Sequence, residues 1–195
     1  MNIGIIILAA GSSSRMGQSK QLLPVDNIPL LTRTVNIALQ LQSSLTVVVL
    51  GAKNKEHEAI LHGTHVQTIV NHEWQNGMGS SLKTGVRHLL SLSPAIDAAI
   101  ILVCDQPAVT SVYLSSIVER YKANKNAIIA SFYSDAPGVP VLFDKTIFPE
   151  LLDMDDALGA KKIIQKHIGL TELINFPEGS IDLDTPEEYQ NYISR

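Results

Sequence analysis

Residues 5–20 read IIILAAGSSSRMGQSK, an apolar run that breaks into small residues and then supplies two cations. Ala9, Ala10, Gly11, Ser12, Ser13 and Ser14 carry little side-chain bulk. Their backbone can come close to a ligand and turn its N–H groups toward an anion. Arg15 and Lys20 add positive charge beside those amides, and arginine suits bidentate phosphate contact. The chemistry implied is polyphosphate binding. Two common phosphate loops are excluded by spelling. Gly17 is followed by Gln18 where a P-loop needs lysine, and Gly11 is followed by Ser12 and Ser13 where a dinucleotide fingerprint needs a second glycine.

Acidic residues form the second set. Asp105 follows an apolar run and precedes Gln106-Pro107, which predicts a carboxylate held at a sheet edge. Mg²⁺ takes oxygen ligands and is usually held by one or two carboxylates plus substrate phosphates. Asp182 and Asp184, two apart, share one face of an extended chain and repel unless a cation, water or a proton compensates. The plainer readings are a turn residue for Asp105 and a solvated pair for the other two. Residues 71–81, NHEWQNGMGSS, are dense in glycine and hydrogen-bonding side chains and lead into a helix. Free amides at that helix start would favour an anion or polar ligand group, unless Ser80 or Ser81 merely caps it. Cys104 reads as a small packed residue. His57, His62 and His65 do not share a helix face and read as solvated, and the charge run at 53–58 reads as a wet helix start. A serine hydrolase has no support, because no G-x-S-x-G occurs.

These residues need a scaffold. Apolar runs recur at 3–8, 45–50, 66–70, 98–103 and 127–130. Between them lie helical spacings: Leu31, Val35 and Ala38 after Pro29; Leu82, Val86, Leu89 and Leu90; Leu114, Ile117, Val118 and Tyr121. Thr185-Pro186-Glu187-Glu188 spells a capping box ahead of Tyr189, Tyr192 and Ile193. Continuous apolar strands alternating with amphipathic helices predict an α/β fold with a doubly wound, mostly parallel sheet. No linker or repeat divides residues 1–195, so one domain is expected. Ligands in such sheets sit beyond the carboxyl ends of the strands. The chain has 195 residues, 45% of them hydrophobic, enough for a core without disulfides or structural metal. A formal charge of −4 argues against a nucleic-acid partner, and no apolar run approaches the ~20 residues that span a bilayer. A single cysteine and the absence of a leader pattern make the cytoplasm the expected compartment.

The spelling L-A-A-G-x-S-x-R-M-G-x-x-K at 8–20 resembles the signature loop of molybdenum cofactor nucleotidyltransferases, most of all the cytidylyl-transferring branch. Further motifs match in order: N-x-x-W-x-x-G-M-x-x-S at Asn71, Trp74, Gly77, Met78 and Ser81, D-x-P at Asp105, G-x-P at Gly138 and Pro140, and D-x-D-T-P-E from Asp182. The resemblance implies a Rossmann-like nucleotidyltransferase fold. It also implies a triphosphate wrapped by Leu8, Ala9, Ala10, Gly11, Ser12, Arg15 and Lys20, with Arg15, Lys20 and Asp105 catalytic. Asn71, Gly77, Met78 and Ser81 would line the base and ribose pocket. Mg²⁺ (or Mn²⁺) would be held by Asp105 with Asp182 or Asp184, and the acceptor would lie near Gly138 and Pro140. The implied reaction transfers a nucleoside monophosphate, CMP from CTP, to the terminal phosphate of a molybdopterin-type cofactor, with a client molybdoenzyme as partner. Ala10 favours CTP, since guanylyl-transferring relatives usually read L-A-G-G. One segment departs: relatives tend to carry G-D-x-G-A-R where this chain has Asp156-Ala157-Leu158-Gly159-Ala160-Lys161. The alternatives are transfer from GTP, transfer to a sugar or alditol phosphate, or a non-catalytic protein that delivers the cofactor.

Overall fold

A computed structural model describes residues 1–41, 45–124 and 126–194. Strand β1 (Ile3–Ala9) is buried along its whole length, as a run of isoleucines with no alternation requires. It pairs in parallel with β4 (Leu45–Leu50) on one side and β6 (Ala98–Val103) on the other. The short hairpin β2 (Pro24–Val25) and β3 (Ile28–Pro29) stands apart from this sheet. The seven strands run in the order β5 (Gln67–Val70), β4, β1, β6, β8 (Ala136–Asp144), β7 (Ile128–Tyr133), β9 (Thr171–Asn175). All neighbours are parallel except β8, which runs against both β6 and β7.

Side chains alternate across the sheet and build one core on each face. Ile5 and Ile7 pack with Leu31 and Val35 of α1 (Leu30–Leu39) and Leu114 and Ile117 of α4 (Ser111–Asn124). Ile6, Val47 and Val49 pack with Leu82, Val86 and Leu89 of α3 (Met78–Leu92), and with Phe148 and Leu151 of α5 (Phe148–Asp153). Each fully buried aliphatic side chain is worth roughly 1.5–3 kcal/mol. The helix expected after Pro29 starts at Leu30, with Pro29 as its N-cap residue. The short α2 (Asn54–Ala59) follows β4, and α6 (Ala160–Lys166) follows α5.

A third apolar cluster joins Met16, Leu23, Val25 and Leu30 to Leu183 and Tyr189, the latter on α7 (Pro186–Ile193). The capping box opens α7: Thr185 Oγ1 accepts from Glu188 N while Glu188 Oε2 accepts from Thr185 N. Tyr189 Oη donates to Pro24 O at 2.7 Å, and Leu183 N donates to Asp105 O at 3.0 Å. These contacts bring the 182–184 segment to the loop after β1.

Two strands of the seven-stranded sheet escape the apolar-run reading. β8 carries Pro137, Gly138 and Pro140, residues that weaken a strand signal, and β9 is a short edge strand. The reversal of β8 has a positional effect. Its first residues, and not its last, stand at the carboxyl end of the parallel strands. No helix among the described residues is long and apolar enough to cross a membrane.

Candidate active site

The loop after β1 is held from beneath by Gln21. Its Nε2 donates to Ala9 O at 3.2 Å and Gly11 O at 2.9 Å, and its Oε1 accepts from Ser13 Oγ at 3.0 Å. Ser13 Oγ in turn accepts from Lys20 N at 3.1 Å. Ser13 and Gly17 take left-handed backbone angles on either side of a 3-10 turn at Ser14–Met16, whose buried Met16 belongs to the third cluster. Ala10 O accepts from Ala52 N at 2.9 Å. Gly51 makes this approach possible, because a Cβ there would stand 2.5 Å from Ala10 O.

Lys20 Nζ pairs with Asp105 Oδ2 and, at 2.7 Å, with Asp184 Oδ1. Arg15 Nη2 reaches Asp184 Oδ2 at 2.7 Å from a largely exposed side chain. Burial alone would lower the Lys20 pKa, but Asp105 and Asp184 outweigh it and hold the ammonium charged. Burial likewise works against the Asp184 charge, and the two cations bring its pKa below the usual carboxylate range. Asp182 forms no ion pair among the described residues: burial, then Asp105 and Asp184, outweigh the charge of Lys20 and push its pKa up to about 6. Burial pushes the Cys104 thiol up to about 12, in keeping with a packed and unreactive side chain.

Asp105, Asp182 and Asp184 thus share one corner. Among the described residues no three His, Cys, Asp or Glu side chains form a ready-made cation cage. Asp105 and Asp184 both pair with Lys20 instead. A site completed by substrate phosphates needs no such cage. The donor set fits a hard divalent cation on one further point: Asp105 Oδ1 is buried and has no hydrogen-bond partner.

The Asp182 shift makes a stability prediction. A carboxyl whose folded pKa is raised stabilises the protein below its unfolded pKa near 3.8 and loses that contribution as pH rises through about 6. Asp182→Asn is therefore expected to stabilise the metal-free protein at pH 8, by on the order of 1 kcal/mol after solvent screening, and to change little at pH 4. Denaturant melts at the two pH values measure the difference.

A cleft of about 320 Å³ opens beside this corner. Leu8, Ala9, Ala10, Gly11, Ser12, Lys20, Gly77, Met78, Ser81 and Asp105 line it, joined by Gln21, Trp74, Gln75, Val103 and Cys104. An adjoining hollow of about 220 Å³ is bounded by residues 11–15, Lys20 and Asp184. Asn71 has a different part. It is buried, its Nδ2 donates to Ser80 Oγ at 2.8 Å and Ser81 Oγ at 3.0 Å, and its Oδ1 accepts from Glu73 N. Its amide is committed to positioning the segment that carries Ser81.

The start of α3 corrects an expectation. Two of its first amides are not free for an anion, because Gly79 N and Ser80 N donate to Asp156 O at 2.8 and 3.3 Å. Ser80 does not cap the helix either; its hydroxyl faces Gly77 O and Glu73 O. Gly77, at φ +129°, admits this docking, since a Cβ there would lie 2.5 Å from Asp156 O. Lys83 fixes the same segment by donating to Met154 O at 3.0 Å and pairing with the Asp156 carboxylate. The acid that differs in position from the resembled pattern is therefore a clamp on α3.

Met78 also borders a second hollow of about 220 Å³, lined by Tyr133, Ser134, Gly138, Gly159 and Lys161 among others. Gly138 belongs to it. Pro140 does not; it is buried, and its carbonyl accepts from Ser131 Oγ at 2.6 Å. Gln106 links this side to Asp105 by donating to Tyr133 Oη at 3.0 Å and Gly179 O at 2.9 Å. The histidines do not gather into a metal site. His62 and His65 are exposed, but His57 is 1% exposed, contrary to the solvated reading. Sequence reasoning also passed over Gln21 and Lys83, whose roles depend on tertiary contacts; the one cue was Gln21's place next to Lys20.

A family model described as the MobA-like NTP transferase domain matches residues 5–171. Purine catabolism protein PucB of Bacillus subtilis (strain 168) is 28% identical, with 94% of this chain and 92% of that protein covered. Molybdenum cofactor cytidylyltransferase of Escherichia coli (strain K12) is 25% identical over 96% and 93%. Nicotine blue oxidoreductase of Paenarthrobacter nicotinovorans is 25% identical over 94% and 92%. Among solved structures, Rv0371c from Mycobacterium tuberculosis H37Rv superposes with a TM-score of 0.82 at 26% identity and full coverage of both chains. Its complex with manganese gives 0.79 at 24% identity, with 100% of this chain and 99% of that one covered.

Proposed function

This chain belongs to the MobA-like NTP transferase family, and from that premise we propose that it transfers CMP from CTP to the terminal phosphate of a molybdopterin-type cofactor, releasing pyrophosphate. The observation that carries the proposal is one corner of the molecule. There the loop after β1, with Arg15 and Lys20, meets Asp105, Asp182 and Asp184 beside a cleft of about 320 Å³.

In this reading the triphosphate lies along residues 9–15, with its β and γ groups in the polar hollow beside Arg15 and Lys20. Trp74, Gly77, Met78 and Ser81 take the base and ribose. A phosphate oxygen of the acceptor forms the new bond to the α-phosphorus, and the bond from that phosphorus to the β-phosphate oxygen breaks. The electron pair leaves with pyrophosphate, whose charge Lys20, Arg15 and the loop amides neutralise. Asp105, with Asp182 or Asp184, would hold Mg²⁺ or Mn²⁺. That ion would supply charge neutralisation for the transferring phosphate. The acceptor enters from the hollow at Gly138, across Met78.

Ala10 supports CTP through the L-A-A-G spelling, and the cytidylyltransferase relative supports the acceptor. The test is pyrophosphate release with CTP and GTP, each offered a molybdopterin cofactor or a sugar phosphate. Release with CTP and the cofactor alone is expected. Triphosphate binding without release, whatever the acceptor, would replace transfer with a delivery role. One observation favours a second reading, transfer to a different phosphate-bearing acceptor: Lys161 borders the acceptor hollow where the resembled pattern has arginine. Lysine cannot reproduce a bidentate guanidinium contact.

A further inference from the structure

His57 lies beneath the loop after β1 and takes no part in the proposed transfer. It sits on α2 and is 1% exposed, while Ser19 is 5% and Gln21 1% exposed. His57 Nε2 lies 2.6 Å from Ser19 Oγ, which donates to Gln21 Oε1 at 2.8 Å. The proton positions in this chain follow from donor counting. Both hydrogens of the Gln21 amide are taken by Ala9 O and Gly11 O, so its Oε1 can only accept. The single Ser19 proton goes to that oxygen. His57 must then donate through Nε2–H, which leaves Nδ1 as the unprotonated nitrogen. His57 Nδ1 is buried with no hydrogen-bond partner. A second N–H at that atom would be an unsatisfied buried donor, which keeps the ring neutral.

Lys20 stands between Ser19 and Gln21 in the chain. In this structure its ammonium is held by Asp105 and Asp184. A triphosphate competes for that ammonium, so the carboxylates cannot be all that fixes the loop when a nucleotide arrives. The two residues flanking Lys20 are anchored from the other side, by His57.

We propose that His57 is a positioning residue for the phosphate loop: through Ser19 and Gln21 it sets the carbonyls of Ala9 and Gly11 and the backbone of Lys20. The proposal rests on the reading of residues 9–20 as the triphosphate loop.

His57→Ala, His57→Gln and His57→Asn separate this role from simple packing. Glutamine carries its amide nitrogen near the position of Nε2, whereas asparagine carries it near Nδ1. His57→Ala and His57→Asn are expected to raise KM for the nucleoside triphosphate about tenfold, with kcat within about twofold of the parent. His57→Gln is expected to restore most of the loss. Hydrogen exchange at residues 10–20 should quicken in the first two variants and stay near wild type in the third. Equal loss in all three variants, or unchanged exchange, would overturn the positioning role. Quickened exchange in a protein that binds no triphosphate, wild type included, would support the anchoring of the loop and overturn the triphosphate reading alone.

Discussion

Asp105→Asn is expected to slow nucleotidyl transfer by about three orders of magnitude while leaving the protein folded. The side chain leaves the carboxyl end of β6, where the chain is fixed by pairing to β1 and by the bond from Leu183 N to Asp105 O. One carboxylate oxygen is paired with Lys20, and the other is buried without a partner. Asparagine keeps the shape and can still accept from Lys20, so the fold loses little. It replaces one oxygen with an N–H donor and removes the negative charge, and both changes oppose cation binding. Triphosphate affinity should fall much less than rate, because the residue 9–15 loop and Arg15 are untouched. Steady-state pyrophosphate release, with a thermal melt as control, measures both. A wild-type rate in saturating Mg²⁺ would end the assignment of Asp105 to the metal.

Lys20→Met carries the second large effect, on activity and stability together. Methionine has a similar length and no charge, so Asp105 and Asp184 lose the cation between them, with Asp182 close by. Transfer is expected to drop about 10²- to 10³-fold, with weaker triphosphate binding, because the departing pyrophosphate loses a charged donor. Stability at pH 8 is expected to fall by about 2 kcal/mol, because Asp105 loses its cation and Asp184 keeps only the exposed Arg15. The loss should shrink as pH falls. Asp182, its pKa already raised to about 6 in the parent, loses with Lys20 a cation that lowers it, so stability is retained below about pH 4 and lost as pH rises toward 6 and beyond. Melts of the variant and the parent across that window test the sign. Arg15→Ala should do less, since that side chain is 71% exposed and, among the described residues, forms its ion pair with Asp184 alone.

Much of this was legible in the chain. The isoleucine run of β1, the small residues after it, and the Thr185–Glu188 box all act locally, and local signals survive without tertiary knowledge. Asp105 was legible for a similar reason: it follows an apolar strand that has to end at the sheet edge. What escaped depends on partners distant in sequence. Asn71 looked available to a ligand until Ser80, Ser81 and Glu73 N engaged its amide. The α3 amides looked free until Asp156 O docked on them. His57 looked solvated because a charged run surrounds it, yet α2 turns it inward to Ser19. β8 was obscured by its own prolines and glycine, and its direction follows from the tight turn at Ser134 and Asp135 that joins it to β7.

The third apolar cluster has a consequence for how the molecule becomes competent. Arg15 and Asp184 are 169 positions apart in the chain, and Met16 and Leu183 are their immediate neighbours. Contacts between such distant segments carry a large loop-closure entropy, which grows with the logarithm of the separation. The central strands can therefore pair while the carboxylate corner is still open. A partly folded chain would hold its sheet but not the paired cations and acids, so it could not trap a nucleotide. A ligand that bridges the two segments would act as a staple across the whole sequence.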